Sequence, residues 1–366
     1  MRLALDITAL LDARTGVGEV THQLLTHLAR RDEVDVVAYS VSWRGRDQLD
    51  GLVPSGVDVA HRPMAARVLR QLWRHADAPP IEWWTGAIDV VHGVNFVVPP
   101  SRRAVEICTV HDLTCVRFPE LCTKDVLQYP GLIARAVRRG AHVHTASAFV
   151  AGEVIEHFGV DPAKVHVVHN GVADVASGDA EAGRRLAGGS RYVLALGTVE
   201  PRKDLPTLVR AFDAVAAKDA DVRLVLAGPD GWGVDALAAA LNAAHHRSRI
   251  VRVGWVDDRV RADLLAGATV LAYPSIYEGF GFPPLEAMAA GTPVATTRAG
   301  SLPEILGDAA LLVDPADVDG LAAALTELLN DDARRVSLIA AGRAQVARYG
   351  WERATDELTQ VYRTLC

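Results

Sequence analysis

The chain has 366 residues, half of them hydrophobic, with a formal net charge of −7 and an isoelectric point near 6.0. A chain of this length is too long for one ordinary hydrophobic core and predicts two domains. The acidic balance gives no overall basic footprint for nucleic acid, and no stretch approaches the roughly 20 uncharged apolar residues of a membrane-spanning helix.

The N-terminus and the cysteines indicate a protein of a reducing compartment. Asp6 and Asp12 interrupt the apolar N-terminal run and no small-residue cleavage site follows, so we predict a first β-strand there and no signal peptide. The four cysteines form no C-x-x-C motif and are expected to be free thiols, with a disulfide as the alternative. They are Cys108, Cys115, Cys122 and Cys366. We expect a cytoplasmic location, with peripheral attachment to the inner face of the membrane left open.

Strands alternate with helices along the first half of the chain. The predicted strands are the apolar runs at 2–8, 34–40, 89–92, 105–110, 142–146 and 165–169. The predicted helices lie at 17–30, 126–139 and 149–158. This order predicts a parallel, doubly wound sheet in a first domain at residues 1–170.

A segment at 171–190, rich in Gly, Ala, Ser and Asp, shows little apolar periodicity and predicts a linker. The alternation then restarts in a second domain at 191–350. Its predicted strands are 192–196, 222–227, 250–253, 270–273, 293–296 and 310–313, and its predicted helices are 204–217, 234–245, 258–266, a short one near 303 and a tail from 317. The predicted fold class is α/β. A C-terminal helix at 351–366 could pack back on the first domain.

A glycine- and proline-rich segment, Pro274–Gly291, follows a predicted buried strand and contains two acids, Glu278 and Glu286. Its glycines allow positive φ or a close backbone approach to a ligand, and its prolines suit the entry to a helix through Glu286. The N-terminus of that helix is a ready site for phosphate. The carboxylates would repel phosphate and are better suited to accept hydrogen bonds from hydroxyls. Phosphate together with hydroxyls indicates a sugar nucleotide.

A basic pair, Arg202 and Lys203, follows another predicted strand that ends at Gly197 and precedes a helix that begins at Asp204. Only four of the 38 lysines and arginines are lysines, so a lysine here is notable. The ammonium suits a phosphate as a point charge, and the guanidinium adds a bidentate fork. A solvated basic pair is the alternative, but the positive end of a helix dipole disfavours cations unless an anion binds.

Two motifs, G-T-x-E-P-R-K at 197–203 and Y-E-G-F-G-F-P-P-L-E at 277–286, resemble the donor site of the retaining family 4 glycosyltransferases, the glycosyl transferases group 1. The match extends to Gly254-Trp255-Val256, A-G-T-P-V at 290–294 and G-S-L-P-E at 300–304, and so covers nearly the whole second half. Together with H-D-L-x-x-x-R-F-P-E from His111, the motifs resemble the mannosyltransferase-like branch. The resemblance implies the GT-B fold, in which two Rossmann-like doubly wound domains face each other across a cleft.

The resemblance also implies roles for individual residues. Arg202 and Lys203 would hold the donor diphosphate and stabilise the leaving nucleotide. Glu278 would hold hydroxyls of the transferred sugar, and Glu286 would bind the ribose hydroxyls. Further donor-binding positions are implied at Gly197, Val256, Gly279, Phe280, Gly281 and Leu285. Many family members have an arginine where this chain has Thr198, so loss of either Arg202 or Lys203 is expected to be severe.

The first half carries fewer signals. Gly16 and Gly18 open a helix but fail as a dinucleotide fingerprint, because Thr21 stands where a third glycine should be and no acid lies about 20 residues on. The resemblance implies that they form a glycine loop closing over donor phosphate and acceptor. It also implies that His111 contacts the donor sugar, which completes a catalytic set with Arg202, Lys203 and Glu278. A histidine satisfied within its loop is the alternative, and Asp112 could cap local backbone. His92 and Ser147 are similarly placed but weaker candidates.

Several catalytic signatures are absent from the sequence. No glycine precedes a lysine, which excludes a P-loop, and neither G-x-S-x-G nor H-E-x-x-H occurs. The paired histidines lack partners at metal-site spacing, so we predict no bound metal. Arg202, Lys203 and helix N-termini would then meet the leaving-group charge. No carboxylate nucleophile is evident, and the family precedent favours front-face attack, with the departing phosphate helping to deprotonate the acceptor.

Residues 61–75 contain four arginines and no acid, with apolar residues along another face. Such a segment is typical of an interfacial helix that seeks anionic lipid. An ordinary surface helix whose apolar side packs on the sheet is the alternative that we favour.

The resulting prediction is a cytoplasmic, metal-independent, retaining hexosyltransferase without a cofactor. It would use an NDP-sugar, with GDP-mannose favoured, and a saccharide or lipid-linked saccharide acceptor. No nucleic-acid partner is expected, and the sequence leaves the oligomeric state open. The alternatives are a sugar-nucleotide epimerase or hydrolase with the same donor-binding site, and a non-catalytic sugar-nucleotide-binding protein.

Overall fold

The computed structural model describes residues 1–11, 16–43, 45–173 and 177–366. The chain divides into two compact units, Met1–Gly171 together with Gly350–Cys366, and Val172–Tyr349. Each unit is built on its own parallel β-sheet, with helices between most of the successive strands. Both units are therefore α/β, as the alternation of sequence patterns predicts.

The first unit contains a seven-stranded sheet. Its strands are β1 (Arg2–Asp6), β2 (Asp35–Tyr39), β3 (Asp58–Val59), β4 (Val90–Gly93), β5 (Val105–Val110), β6 (His142–Thr145) and β7 (Val165–Val167). The helices among them are α1 (Gly16–Leu28), α2 (Ala66–His75), α3 (Glu82–Thr85), α4 (Thr114–Arg117), α5 (Tyr129–Arg139) and α6 (Ala148–Phe158). The strand order is β3-β2-β1-β4-β5-β6-β7, and all neighbours are parallel. Nearly continuous apolar runs such as Leu3-Ala4-Leu5, fully buried here, suit strands covered on both faces.

The second unit contains a six-stranded sheet. Its strands are β8 (Arg191–Leu196), β9 (Val222–Ala227), β10 (Ile250–Gly254), β11 (Val270–Tyr273), β12 (Val294–Thr297) and β13 (Leu311–Val313). Its helices are α7 (Ala180–Ala187), α8 (Leu205–Ala216), α9 (Val234–Ala243), α10 (Asp258–Gly267), α11 (Phe282–Ala289), α12 (Leu302–Leu306), α13 (Val318–Asn330) and α14 (Asp332–Val346). The strand order is β10-β9-β8-β11-β12-β13, again with all neighbours parallel.

The segment predicted to be a linker, 171–190, contains the helix α7. Asp179 caps this helix, because its side chain accepts hydrogen bonds from the backbone N–H groups of Glu181 and Ala182 at 2.9 and 3.2 Å. The helix packs against α10 through small residues: a Cβ on Gly183 would lie only 2.1 Å from the Asp263 carbonyl oxygen. A contact made by glycine and alanine leaves no apolar periodicity, which explains why the sequence pattern did not reveal this helix.

The last helix, α15 (Trp351–Leu365), belongs to the first unit although it follows the second in the chain. Arg31, which follows α1, forms ion pairs with Glu352 at 3.0 Å and with Asp356 at 2.5 Å. Tyr362 is fully buried, and its hydroxyl lies 2.6 Å from Nδ1 of His92 on β4. The C-terminal helix is thus held to the first sheet by both surface charges and a buried polar contact.

The described part of the chain contains no helix long and apolar enough to cross a membrane. All four cysteines are free thiols, and Cys108 and Cys115 are buried. Burial raises the pKa of both buried thiols to about 12, so they are protonated near neutral pH.

Candidate functional site

A pocket lies at the carboxyl edge of the second sheet, where the strand order reverses. β8 lies between β9 and β11, and open α/β sheets bind ligands at such a switch point. The pocket has a volume of about 380 Å³, counting the part open to solvent. Its polar and glycine lining consists of Gly197, Lys203, Gly228, Arg252 and Tyr273. The two sequence motifs at 197–203 and 277–286 follow β8 and β11, the strands on either side of the switch point.

Arg202 and Lys203 lie in a single 3-10 turn, Pro201–Lys203, that connects β8 to α8. Asp204 caps α8, since its side chain accepts a hydrogen bond from the backbone N–H of Thr207 at 3.3 Å. The Arg202 carbonyl accepts a hydrogen bond from the backbone N–H of Ile276 at 2.9 Å. The turn that carries both cations is therefore tied to the loop after β11.

Glu278 is buried between both cations. Its Oε2 lies 2.7 Å from Nη1 of Arg202, and its Oε1 lies 2.6 Å from Nζ of Lys203. Tyr273 donates its hydroxyl to the same Oε1 at 2.8 Å and also contacts Nζ of Lys203. Arg202 makes a further ion pair with Glu200 at 2.7 Å. Two cations and two carboxylates form one network, which we call the Glu278 network.

Burial and charge fix the protonation states in this network. Burial acts to raise the pKa of Glu278, but the charges of Arg202 and Lys203 outweigh it and lower that pKa to about 2. Burial lowers the pKa of Lys203, against the attraction of Glu278. Burial and the neighbouring carboxylate raise the pKa of Tyr273 well above its ordinary value. Near neutral pH, Glu278 is therefore a carboxylate, and the Tyr273 phenol keeps its proton and donates it.

The contact between Glu278 and the basic pair was not predicted from the sequence. The resemblance implies a diphosphate role for Arg202 and Lys203 and a sugar-hydroxyl role for Glu278. In the described structure the Glu278 carboxylate forms ion pairs with both cations. The reason is the sheet order, because β8 and β11 are neighbours and their following loops meet.

Glu286 lies on α11 and forms an ion pair with Arg261 of α10. The Glu286 side chain is 18% exposed and that of Arg261 is 35% exposed, so the pair lies at the rim of the unit. Helix α11 begins after Gly281, whose φ of +101° favours glycine, and has proline in its first turn as predicted.

The other implied donor positions of the second unit have different surroundings. Phe280 is buried, with its ring 5.1 Å from that of Phe282 and 5.8 Å from that of Tyr349. Leu285 is fully buried on α11, so its side chain belongs to the core. Val256 is half-buried and directly follows Trp255, which is exposed. Gly279 is buried in the loop that leads into α11.

The candidate residues of the first unit also lie at strand or helix ends. His111 follows β5, and its Nε2–H donates to the Val94 carbonyl at 2.7 Å. Burial lowers its pKa, which favours the neutral ring. Asp112 accepts from the backbone N–H of Thr114 at 2.9 Å, so it caps local backbone as the alternative proposed. Gly16 and Gly18 form the first turn of α1; Thr15 lies outside the described residues.

His92, a weaker candidate, is a core residue and is fully buried. Its Nδ1 lies 2.6 Å from the Tyr362 hydroxyl and its Nε2 2.7 Å from the Thr109 hydroxyl. The Thr109 hydroxyl in turn lies 2.9 Å from Nδ1 of His144, whose Nε2 lies 3.1 Å from the Val168 carbonyl. The Val168 carbonyl can only accept, so His144 donates to it. With both histidine rings neutral, the other three hydrogen bonds run the same way along the chain of contacts: Tyr362 donates to His92, His92 to Thr109, and Thr109 to His144. Both nitrogens of His92 are used inside the core.

Tyr273 and Arg261 are site residues that sequence reasoning missed. Tyr273 is the last residue of an apolar strand and looks like a core aromatic in the sequence. Arg261 precedes its partner Glu286 by 25 residues, and no sequence spacing links them. Among the described residues, no three His, Cys, Asp or Glu side chains are grouped as metal ligands would be.

Comparison with known proteins identifies the family. A profile described as "Glycosyltransferase Family 4" matches residues 14–174, and one described as "Glycosyl transferases group 1" matches residues 190–331. The O-antigen chain mannosyltransferase B of Escherichia coli is 31% identical over 284 residues, which cover 75% of this chain and 74% of the relative. The chain belongs to glycosyltransferase family 4. This confirms the family inferred from the two motifs, and a mannosyltransferase is among the relatives of this glycosyltransferase.

Solved structures confirm the GT-B fold. The sucrose-phosphate synthase of Thermosynechococcus elongatus superposes with a TM-score of 0.77 at 20% identity, covering 100% of the glycosyltransferase and 98% of the other chain. HepE from Anabaena in complex with UDP and glucose superposes with a TM-score of 0.75 at 16% identity, covering 100% of both chains. At these identities the similarity is one of fold.

Proposed function

We propose that this glycosyltransferase moves a hexosyl unit, with mannosyl favoured, from a nucleoside-diphosphate sugar to a saccharide or lipid-linked saccharide. The transfer would retain configuration and need no metal ion. The observation that carries the proposal is the Glu278 network, which combines two cations for a diphosphate with a carboxylate for sugar hydroxyls and reaches the pocket through Lys203 and Tyr273. The E. coli mannosyltransferase supports a mannosyl donor, with GDP-mannose the leading candidate, and HepE with bound UDP supports a nucleotide donor.

The Glu278 network supports donor binding through an exchange of anions. In the free protein Glu278 is ion-paired with both Arg202 and Lys203, and a donor diphosphate would compete for the same cations. An ionised carboxylate offers about four acceptor positions, of which Arg202, Lys203 and Tyr273 use three. One position therefore stays available for a sugar hydroxyl, and more become available as the cations turn toward the diphosphate.

The proposed transfer breaks the bond between the anomeric carbon and the diphosphate oxygen, whose electron pair stays on that oxygen. Arg202 and Lys203 stabilise the resulting charge in a low-dielectric site. The acceptor hydroxyl oxygen forms the new bond to the anomeric carbon, and its proton passes to the departing phosphate.

The remaining donor contacts are part of the same proposal. Glu286 binds the ribose hydroxyls, and backbone near Val256 lies against the base. The amides of Gly279, Phe280 and Gly281 line the sugar pocket, together with backbone of Gly197 and Leu285. In the first unit, His111 contacts the transferred sugar and the Gly16–Gly18 turn approaches phosphate and acceptor. Contact of residues 61–75 with a membrane stays the less favoured alternative to an ordinary surface helix. Leu69 and Trp73 of α2 are buried in the core, while Val68 and Leu72 are exposed.

A thermal-shift screen with GDP-, UDP-, ADP- and dTDP-sugars tests the donor site, because a ligand that binds only the folded state raises its apparent stability. One sugar nucleotide should stabilise the wild type, and R202Q and K203Q should lose most of that shift. Lys218 is an exposed lysine of the same unit with no ion pair in the described structure, and K218Q is the matched control. The donor site would be refuted if no sugar nucleotide stabilises the wild type, or if R202Q and K203Q keep the full shift.

Product analysis with the donor found in the screen tests the transfer. A glycosyltransferase releases nucleoside diphosphate at its full rate only when an acceptor is added. Full-rate release without an acceptor would instead identify a hydrolase or epimerase. Turnover by E278A at the wild-type rate would contradict a role of Glu278 in transfer.

A further inference from the structure

The loop at residues 277–281, which we call the Glu278 loop, has glycine on both sides of Phe280. Gly279 and Gly281 lack the side chain that restricts φ and ψ, and Gly281 has a φ of +101°. Glycine also loses more conformational freedom on folding than any other residue. The backbone of this loop therefore has little rigidity of its own and depends on contacts with the rest of the unit.

Tyr349 supports the Glu278 loop directly through Phe280. The two rings meet edge-on, with centroids 5.8 Å apart and planes at 87°. Both side chains are buried, since Phe280 is 5% exposed and Tyr349 is 6% exposed. An edge-on pair is favourable because the positive edge of one ring meets the negative face of the other. This contact fixes where the Phe280 side chain lies.

Tyr349 also reaches the loop through the helix α12. Its hydroxyl donates to the Ile305 carbonyl of α12 at 3.0 Å, and Gln345 Nε2 donates to the same carbonyl at 2.6 Å. At the other end of α12, the backbone N–H of Ser301 donates to the Glu278 carbonyl at 2.9 Å. One short helix thus connects the Tyr349 hydroxyl with the backbone of Glu278.

The backbone of Tyr349 is itself held by residues outside the Glu278 loop. Its N–H donates to the Val346 carbonyl at 2.9 Å, and its carbonyl accepts from the backbone N–H of Val172 at 2.9 Å. Val172 and Tyr349 are the first and last residues of the second unit. The Tyr349 ring is therefore carried by fixed backbone and can act as a support for the loop.

On its other side the Glu278 loop is held by the basic pair. Nη1 of Arg202 donates to the Tyr277 carbonyl at 2.8 Å, and Arg202 and Lys203 both pair with the Glu278 carboxylate. A donor diphosphate would compete for these two cations and weaken this support. The contacts with Tyr349 and α12 do not involve the cations, so they persist when a diphosphate binds.

We propose that Tyr349 is a positioning residue of the donor site. It holds Phe280 and, through α12, the backbone of Glu278, and so keeps the Glu278 loop in place for the hydroxyls of the donor sugar while the cations bind the diphosphate. This proposal rests on the proposed function in taking the donor sugar to be the ligand of the loop. Because Tyr349 acts through Phe280 and α12, its effect is on the part of the affinity that depends on the sugar.

The test compares a nucleoside diphosphate with its sugar nucleotide by calorimetry, using GDP with GDP-mannose and UDP with UDP-glucose. Y349L removes the ring and should bind the sugar nucleotide about fivefold more weakly than the wild type, the factor that one edge-on aromatic pair represents. The free diphosphate should bind Y349L as it binds the wild type. Y349F keeps the ring, and Gln345 still donates to the Ile305 carbonyl, so this variant should bind both ligands as the wild type does.

F212L is the matched control, because Phe212 is a fully buried aromatic residue in the core of the same unit. It should lower the melting temperature and leave the effect of the sugar on affinity unchanged. F280L removes the other ring of the pair and should reproduce the loss seen in Y349L. The double variant F280L/Y349L should bind the sugar nucleotide no more weakly than either single variant, since all three lack the same contact. If Y349L does not fold, F280L has to show the loss alone.

Hydrogen exchange of the amides at 277–282 in the free protein gives a readout that needs no ligand. Exchange there should be faster in Y349L than in the wild type, Y349F and F212L. The proposal is overturned if Y349L keeps the wild-type exchange or the wild-type effect of the sugar, or if F212L loses that effect equally. A wild type that binds neither nucleotide pair would count against the proposed function instead, and the exchange in Y349L would still decide whether Tyr349 positions the loop.

Discussion

Replacing Glu278 by glutamine should destabilise the free protein, because Arg202 and Lys203 would stay desolvated without their common anion. The side chains of Glu278, Lys203 and Arg202 are 8%, 12% and 17% exposed. Removing one partner of a buried ion pair costs about 3–5 kcal/mol. Glu200 still pairs with Arg202, so we expect the lower end, about 3 kcal/mol. A unit of this size loses about 2–4 °C in Tm per kcal/mol, which predicts a fall of about 6–12 °C.

The same substitution should increase the gain in stability from a nucleoside diphosphate. In E278Q the diphosphate would compete only with Glu200, which pairs with Arg202, whereas in the wild type it would also have to displace Glu278. Thermal melts of both proteins with and without GDP and UDP measure this difference. E327Q, which removes a carboxylate from an exposed ion pair, is the control and should match the wild type in both respects. An E278Q protein with the Tm and the nucleotide shift of the wild type would refute the reasoning.

Further predictions concern single contacts. Y273F should lower the free energy of unfolding by about 2 kcal/mol, since it removes a hydrogen bond that holds Glu278. It should also raise KM for the donor more than it lowers kcat. A melting temperature equal to that of the wild type would contradict this prediction. G183A should destabilise the second unit by about 1–3 kcal/mol in urea unfolding, because its Cβ would overlap the α10 backbone. Burial lowers the pKa of His144 to about 4, so between that pH and about 6.5 the unfolded chain binds a proton that the native protein does not. Stability should therefore fall by about 2 kcal/mol from pH 7.5 to about pH 5, and H144Q should show a weaker pH dependence in urea unfolding.

The strands could be predicted from the sequence because buried parallel strands are nearly continuous apolar runs. Each predicted strand agrees with the structure to within two residues at either end, and 105–110, 222–227 and 270–273 agree fully. The loop motifs were equally visible, since glycines, prolines and charged residues stand out between apolar runs. The helix α7 was not, because its packing depends on the absence of a side chain at Gly183 and leaves no apolar stripe.

The partners within the candidate site could not be predicted from spacing alone. Lys203 and Glu278 are 75 residues apart, and they meet because β8 and β11 are neighbours at the switch point. Tyr273 carries no sequence signal either, since an aromatic residue at the end of a buried strand is usually part of the core. Its role depends on a hydroxyl that reaches the carboxylate of a residue five positions later.

The Glu278 network bears on how the glycosyltransferase would distinguish its donor from its product. Two cations beside the start of α8 would repel each other and the helix dipole in the empty site, and Glu278 and Glu200 remove this cost. A bound diphosphate would have to compete with Glu278 for the same two cations. This competition would weaken the binding of any diphosphate. In the proposed transfer, the donor differs from the product by its sugar, whose hydroxyls would give Glu278 new partners when the cations turn to the diphosphate. Once the sugar is transferred, those partners would be gone and Glu278 would return to Arg202 and Lys203, which would favour release of the nucleotide.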